Sequence, residues 1–140
     1  MLMSCKRRTL LQTLAGGVLL GSSSPAAEIP SELVLVKDTK ESSEPYGALR
    51  LILQGETGQL KSLTVGSMQL RPGQAPHPPH SHPEEELILV TKGECEINVE
   101  GKTSKAGPGT VMYAASNHVH GISNTSGSPM TFYFFKYVAK

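Results

Sequence analysis

The sequence predicts an all-β fold, a closed or double-sheet antiparallel barrel standing behind an N-terminal export signal. Three observations carry this expectation. Short apolar runs recur at even spacing, 14 Gly and 10 Pro punctuate them, and no stretch of the body sustains a helical period. A chain of 140 residues suffices for one domain and not two, read here as residues 28–140 behind a signal at 1–27.

The first element is an address rather than a part of the fold. Lys6-Arg7-Arg8 forms a basic start, Thr9 to Leu20 is apolar, and small residues follow from Gly21 to Ala26. Ser24 and Ala26 suit the −3 and −1 positions of a cleavage site, which places the cut near Ala26 or Ala27. The run Lys6-Arg7-Arg8-Thr9-Leu10-Leu11-Gln12 resembles a twin-arginine signal, with Gln12 where Lys is frequent. An ordinary secretory signal is the alternative, and an uncleaved segment would instead anchor the chain to a membrane. Either signal implies an exported protein, periplasmic or extracellular. Lys6, Arg7 and Arg8 are three of the 13 basic residues; without them ten stand against 12 acidic ones, a net charge of −2. A near-neutral body with no basic stripe excludes a nucleic-acid partner. With Cys5 inside the signal, Cys95 is alone in the mature chain and reads as a buried core thiol.

The strands follow in order. Leu33–Val36 is a short apolar run, Asp38–Pro45 is polar and loop-like, and Ala48–Gln54 alternates up to a turn at 55–58. Leu60–Arg71 is the longest candidate, with a bulge expected at Gly66 because the apolar phase shifts from Leu63/Val65 to Met68/Leu70. A Pro-rich loop spans Pro72 to Pro83. Glu85–Thr91 then turns at Lys92-Gly93 into Glu94–Glu100, and Glu100-Gly101 reads as a two-residue turn into Lys102–Lys105. Thr110–Tyr113 and Val119–Ser123 come next; either Met112 or Tyr113 must face the interior. The last strand, Met130–Val138, is apolar on both faces, with Met130, Phe132 and Phe134 on one and Tyr133, Phe135 and Tyr137 on the other. Such a strand is covered on both sides. One face fills the barrel; the other needs Ile29–Val36 or a second subunit.

All five histidines fall in two clusters, His77/His80/His82 and His118/His120. In an extended His80-Ser81-His82 the two side chains point the same way, with Cα atoms roughly 6.5–7 Å apart, so both imidazoles can reach one ion. Glu86 opens the next strand in phase with Ile88 and Val90 on the inward face, while Glu85 faces out. Three imidazoles, His120 being the third, and one carboxylate suit Mn, Fe, Ni, Cu or Zn rather than Ca or Mg.

The stretch Gly73…His80-Ser81-His82-Pro83-Glu84-Glu85-Glu86…Gly93 resembles the first motif of the cupin superfamily, and Gly109…Ala115…His120…Asn124 resembles the second. The gap from Gly73 to His80 is one residue longer than usual, and Ala115 and Asn117 stand where the family usually has Pro and often has Gly. Both of those positions shape a turn. The resemblance covers roughly Leu60 to Lys136. It implies a jelly-roll barrel of the small single-domain type, often dimeric, holding one divalent metal with His80, His82, Glu86 and His120. An octahedral ion held by four protein ligands keeps about two positions open. The expected function is that of an exported metal-dependent enzyme acting on a small oxygen-rich molecule, of dioxygenase, decarboxylase or isomerase type. Glu86, His77 and His118 are the candidates for catalysis. The alternative is a non-catalytic module that binds a sugar, a small acid or the metal itself.

Overall fold

The computed structural model describes residues 27–140, so all but the last residue of the predicted export signal lies outside the described residues. Among the described residues nine strands follow a short 3-10 turn at Val36–Asp38: β1 (Glu41–Glu44), β2 (Gly47–Gly55), β3 (Leu60–Leu70), β4 (Glu85–Lys92), β5 (Cys95–Val99), β6 (Lys102–Ala106), β7 (Val111–Ala114), β8 (His120–Ser123) and β9 (Met130–Ala139). They form two antiparallel sheets, one of six strands in the order β1-β2-β3-β9-β4-β7 and one of three in the order β6-β5-β8. Among the described residues no helix is long and apolar enough to cross a membrane.

The period-2 patterns select the core. From β4 come Ile88 and Val90, from β9 Met130, Phe132 and Phe134, from β5 Cys95 and Ile97, and from β7 Met112 and Ala114; all are buried. Met112 therefore faces inward, and Tyr113 is 51% exposed, its hydroxyl donating to Glu85 Oε1 (2.7 Å) on the outer face. The Cys95 thiol is buried, with its pKa pushed up to about 11 by that burial and by Glu94, which suits an inert core residue. Glu100 and Gly101, with φ of 51° and 79°, form the expected two-residue turn between β5 and β6.

Three local expectations differ from the structure. Leu33–Val36 forms no strand, and Leu33, Leu35 and Val36 are exposed. The polar stretch expected to be a loop contains β1, which pairs with β2 from Glu41↔Arg50 to Glu44↔Gly47. An edge strand needs hydrogen bonds on one side only, and Glu41 to Ser43 are exposed, so no apolar alternation marks it. The bulge lies on β2 rather than at Gly66: the register steps from Leu51↔Gly66 to Leu53↔Val65, leaving Ile52 as the extra residue. β3 runs in unbroken register with β9 from Ser62 to Leu70. Gly66 is small for another reason, since a Cβ there would lie 2.4 Å from Phe134 Cζ and 2.7 Å from the Arg50 carbonyl oxygen. The apparent phase shift in β3 arises because its outward residues, Leu63 and Val65, are apolar too.

Candidate metal centre

Three segments converge at one end of the sandwich. Glu86 is the first inward residue of β4, followed by Ile88 and Val90, and is 8% exposed. His120 opens β8 and is 2% exposed. His80 and His82 come from the Pro-rich loop, which a single antiparallel bridge pins to β8. The His80 N–H donates to the His120 carbonyl and the His120 N–H to the His80 carbonyl, both at 2.9 Å. A third backbone bond, from the Asn117 N–H to the His82 carbonyl at 2.8 Å, ties in the turn before β8. Asn117 has φ of 62°, a left-handed conformation that Asn tolerates better than most residues. Asn124, 1% exposed, holds the far end of β8 through its amide nitrogen to the carbonyls of Leu70 (3.0 Å) and Ser128 (2.8 Å).

The side chains meet at short range. His80, His82 and His120 each offer a ring nitrogen, and these atoms all lie within 4.8 Å of one another. Glu86 Oε2 lies 2.9 Å from the Nε2 of both His82 and His120. The other ring nitrogens decide what these contacts mean. His120 Nδ1 is 2.9 Å from the His118 carbonyl, and His82 Nδ1 is 3.1 Å from the Glu84 carbonyl. A carbonyl oxygen only accepts, so both Nδ1 atoms carry the proton and, in a neutral ring, both Nε2 atoms are bare. Two bare nitrogens would then face one carboxylate oxygen, an acceptor-to-acceptor contact that needs either a proton or a metal ion among them. His80 Nδ1 is buried with no hydrogen-bond partner among the described residues. Burial, reinforced by His77, His120 and His82 and opposed by Glu86, pulls the His80 pKa down to about 4, so this ring is neutral at pH 7.

These residues fit a transition metal. Two ligand atoms at right angles on an ion with bonds of about 2.1 Å lie about 3 Å apart, which matches the two 2.9 Å contacts at Glu86. A niche of about 20 Å³, lined by His80, Glu86 and His120 over Ile88 and Phe132, is large enough for one ion or one water. It adjoins a cavity of about 340 Å³ between the Pro-rich loop and the inner face of β2, β3 and β9. Two larger hollows lie elsewhere: about 550 Å³ on the outside of the small sheet beneath Pro76–Pro79, and about 490 Å³ between β6 and β7. None of His80, His82, Glu86 and His120 lines either of them, so size alone would mislead a search for the site.

The remaining histidines separate. His77 stands at the mouth, its ring centroid 3.8 Å from that of His80 and its Nδ1 3.0 Å from the Pro78 carbonyl oxygen. His118 is exposed beside Glu100, with Nδ1 3.4 Å from Oε1, and its side chain lies apart from the histidine group. Gln54, Thr64 and Lys136 also line the 340 Å³ cavity and were not singled out from the sequence. The available signal was parity: Lys136 continues the inward row Met130, Phe132, Phe134.

Comparison with known proteins agrees with this architecture. A family model described as "Cupin domain" matches residues 66–136. An RmlC-like cupin from Shewanella frigidimarina is similar over 84% of this chain and 96% of its own, with a TM-score of 0.64 and 16% identity. A polyketide cyclase from Streptomyces resistomycificus gives a TM-score of 0.62 at 20% identity over 77% of this chain and 80% of its own. A predicted oxalate decarboxylase from Thermotoga maritima gives 0.60 at 19% identity over 76% of this chain and 99% of its own. No curated protein matches the chain. The chain belongs to the cupin family.

Proposed function

We propose that this cupin is an exported metal-dependent enzyme in which His80, His82, Glu86 and His120 hold one divalent transition metal. The supporting observation is the convergence of the His82 and His120 Nε2 atoms on Glu86 Oε2 at 2.9 Å, beside the orphaned Nδ1 of His80. The metal would supply Lewis acidity or dioxygen activation to a small oxygen-rich molecule entering the 340 Å³ cavity. The protein's part is to fix the rings. The carbonyls of Glu84 and His118 set the tautomers of His82 and His120, and the His80–His120 bridge sets their separation. His77, at the mouth, is the group placed to move a proton between substrate and solvent. Enzymes among the structurally similar proteins, a polyketide cyclase and a predicted oxalate decarboxylase, support a catalytic reading over a passive binding module.

The mature protein should hold about one transition-metal ion per chain, and His82→Ala should lose it. Elemental analysis finding no metal in the wild type, after loading trials with Mn, Fe, Ni, Cu and Zn, would defeat the proposal. Export rests on the basic, apolar and small-residue order of residues 1–27. A reporter fused to residues 1–30 should leave the cytoplasm. If the twin-arginine resemblance holds, Arg7→Lys with Arg8→Lys should block that export; unchanged export of the double variant would favour the ordinary secretory route.

Self-association is proposed on the outer face of the six-stranded sheet. There Tyr133, Phe135 and Tyr137 are only partly buried, and the neighbouring Val111 and Tyr113 are 61% and 51% exposed. Ile29 docks at the end of β2, its N–H donating to the Glu56 carbonyl (2.8 Å), but Leu33, Leu35 and Val36 are themselves exposed. A second copy packed sheet to sheet is the better cover, because each ring buried contributes roughly 1.5–3 kcal/mol.

A further inference from the structure

The cavity beside the histidines contains one cationic side chain, that of Lys136. Its position is unusual for a lysine. The three inward residues before it on β9, Met130, Phe132 and Phe134, are apolar and at most 4% exposed. Lys136 itself is only partly buried and lines the cavity.

The obvious partner is engaged elsewhere. Glu86 lies directly across from Lys136 in the β4–β9 pairing, on the same face, where an opposite-charge pair would normally form. Its carboxylate instead turns to His82 and His120 at 2.9 Å. Glu84, the other acid lining the cavity, has Oε2 3.2 Å from His82 Nδ1. The two arginines among the described residues do not line this cavity and are held elsewhere, Arg50 by Glu41 (2.8 Å) and Arg71 by the Pro45 carbonyl (2.5 Å). Among the described residues Lys136 Nζ makes no ion pair; its recorded neighbour is the Phe134 ring, 6.0 Å to the centroid. A metal beside Glu86 would offset that acid further and leave the lysine charge uncompensated.

We infer that Lys136 is the anion-recognising group of this site and that its ligand is a small organic carboxylate. The inference rests on the metal reading above and names the substrate class for it. The carboxylate pairs with Lys136 Nζ, and Gln54 and Thr64, on the facing part of the same wall, are the neutral hydrogen-bonding side chains beside it. Thr64 is the cross-strand partner of both Gln54 and Lys136, which puts the three in one row across β2, β3 and β9. One cation with two neutral groups matches one carboxylate group of such a ligand better than a phosphate, whose charge is concentrated on one centre. Leu49, Met68 and Phe134 supply an apolar surface for a short carbon skeleton.

Malonate, its neutral diamide malonamide, and inorganic phosphate are the probes, titrated calorimetrically into zinc-loaded protein. Lys136→Met should weaken malonate binding about tenfold or more, leave malonamide binding and metal content unchanged, and Lys136→Arg should restore most of the affinity. Lys136→Gln serves as a second neutral variant should the methionine variant fold poorly. Equal malonate affinity in wild type and neutral variants would overturn the inference. So would malonamide or phosphate binding the wild type as tightly as malonate, or a fall shared equally by malonate and malonamide. If the wild type takes up no metal, the metal reading fails on its own. The same titration on that protein still decides this one: Lys136-dependent malonate binding upholds it, and its absence overturns it.

Discussion

On β9 the inward residues Met130, Phe132 and Phe134 are at most 4% exposed, whereas the outward residues Tyr133, Phe135 and Tyr137 remain partly exposed. Both rows come from one strand and are comparably apolar. The inward row meets the three-stranded sheet across the sandwich and leads, through Lys136, to the histidine end. The outward row meets Leu63 and Val65 of β3 and Leu87 and Leu89 of β4 on its own sheet and stays partly exposed. An apolar pattern states that a face requires cover; it does not state whether the same chain supplies it. The inner face is therefore a matter of folding, and the outer face is the one on which we propose association.

Substituting one residue on each face sharpens this contrast. Phe132→Ala should cost about 3–5 kcal/mol of stability without changing the oligomeric state. Phe135→Asp should convert a dimeric protein into a monomer in light scattering while costing the monomer far less. A wild type that is already monomeric would contradict the outer-face assignment. A Phe132→Ala variant unfolding at the same denaturant concentration as the wild type would contradict the inner one.

A smaller effect follows from His80. Its folded pKa of about 4 lies below the value of about 6.5 expected in the unfolded chain. Between those values the unfolded chain binds a proton that the folded one refuses, so stability falls as pH drops. The contribution is fully present above pH 6.5 and declines as pH falls toward 4. Urea unfolding of metal-free protein should show a lower midpoint at pH 5 than at pH 7, and His80→Asn should narrow the gap. A gap unchanged in that variant would show that His80 is not its source.

The residues of the candidate centre were legible because metal-binding chemistry would constrain both type and spacing: His80 and His82 two apart, Glu86 four further on, His120 from a distant strand. Met112 against Tyr113 was left open, since either parity satisfies a short strand until its register with β4 is known. β1 was hidden because a solvated edge strand of Glu and Ser has no apolar phase. The bulge was misplaced because Gly66 sits where Phe134 crowds the backbone, and crowding and bulging both select glycine. Gln54, Thr64 and Lys136 escaped notice because their common row exists only once β2, β3 and β9 are in register.

The proposed centre at the end of the inner face is one metal held by three imidazoles and one carboxylate. X-ray absorption on protein loaded with a single equivalent of Zn or Cu tests it most directly, because outer-shell imidazole scattering counts the histidines bound. Three imidazoles are expected in the wild type, two in any His120→Ala variant that retains metal, and three in His118→Ala and His77→Ala. A wild-type count below three, or a count that falls in the His118 or His77 variant, would contradict it.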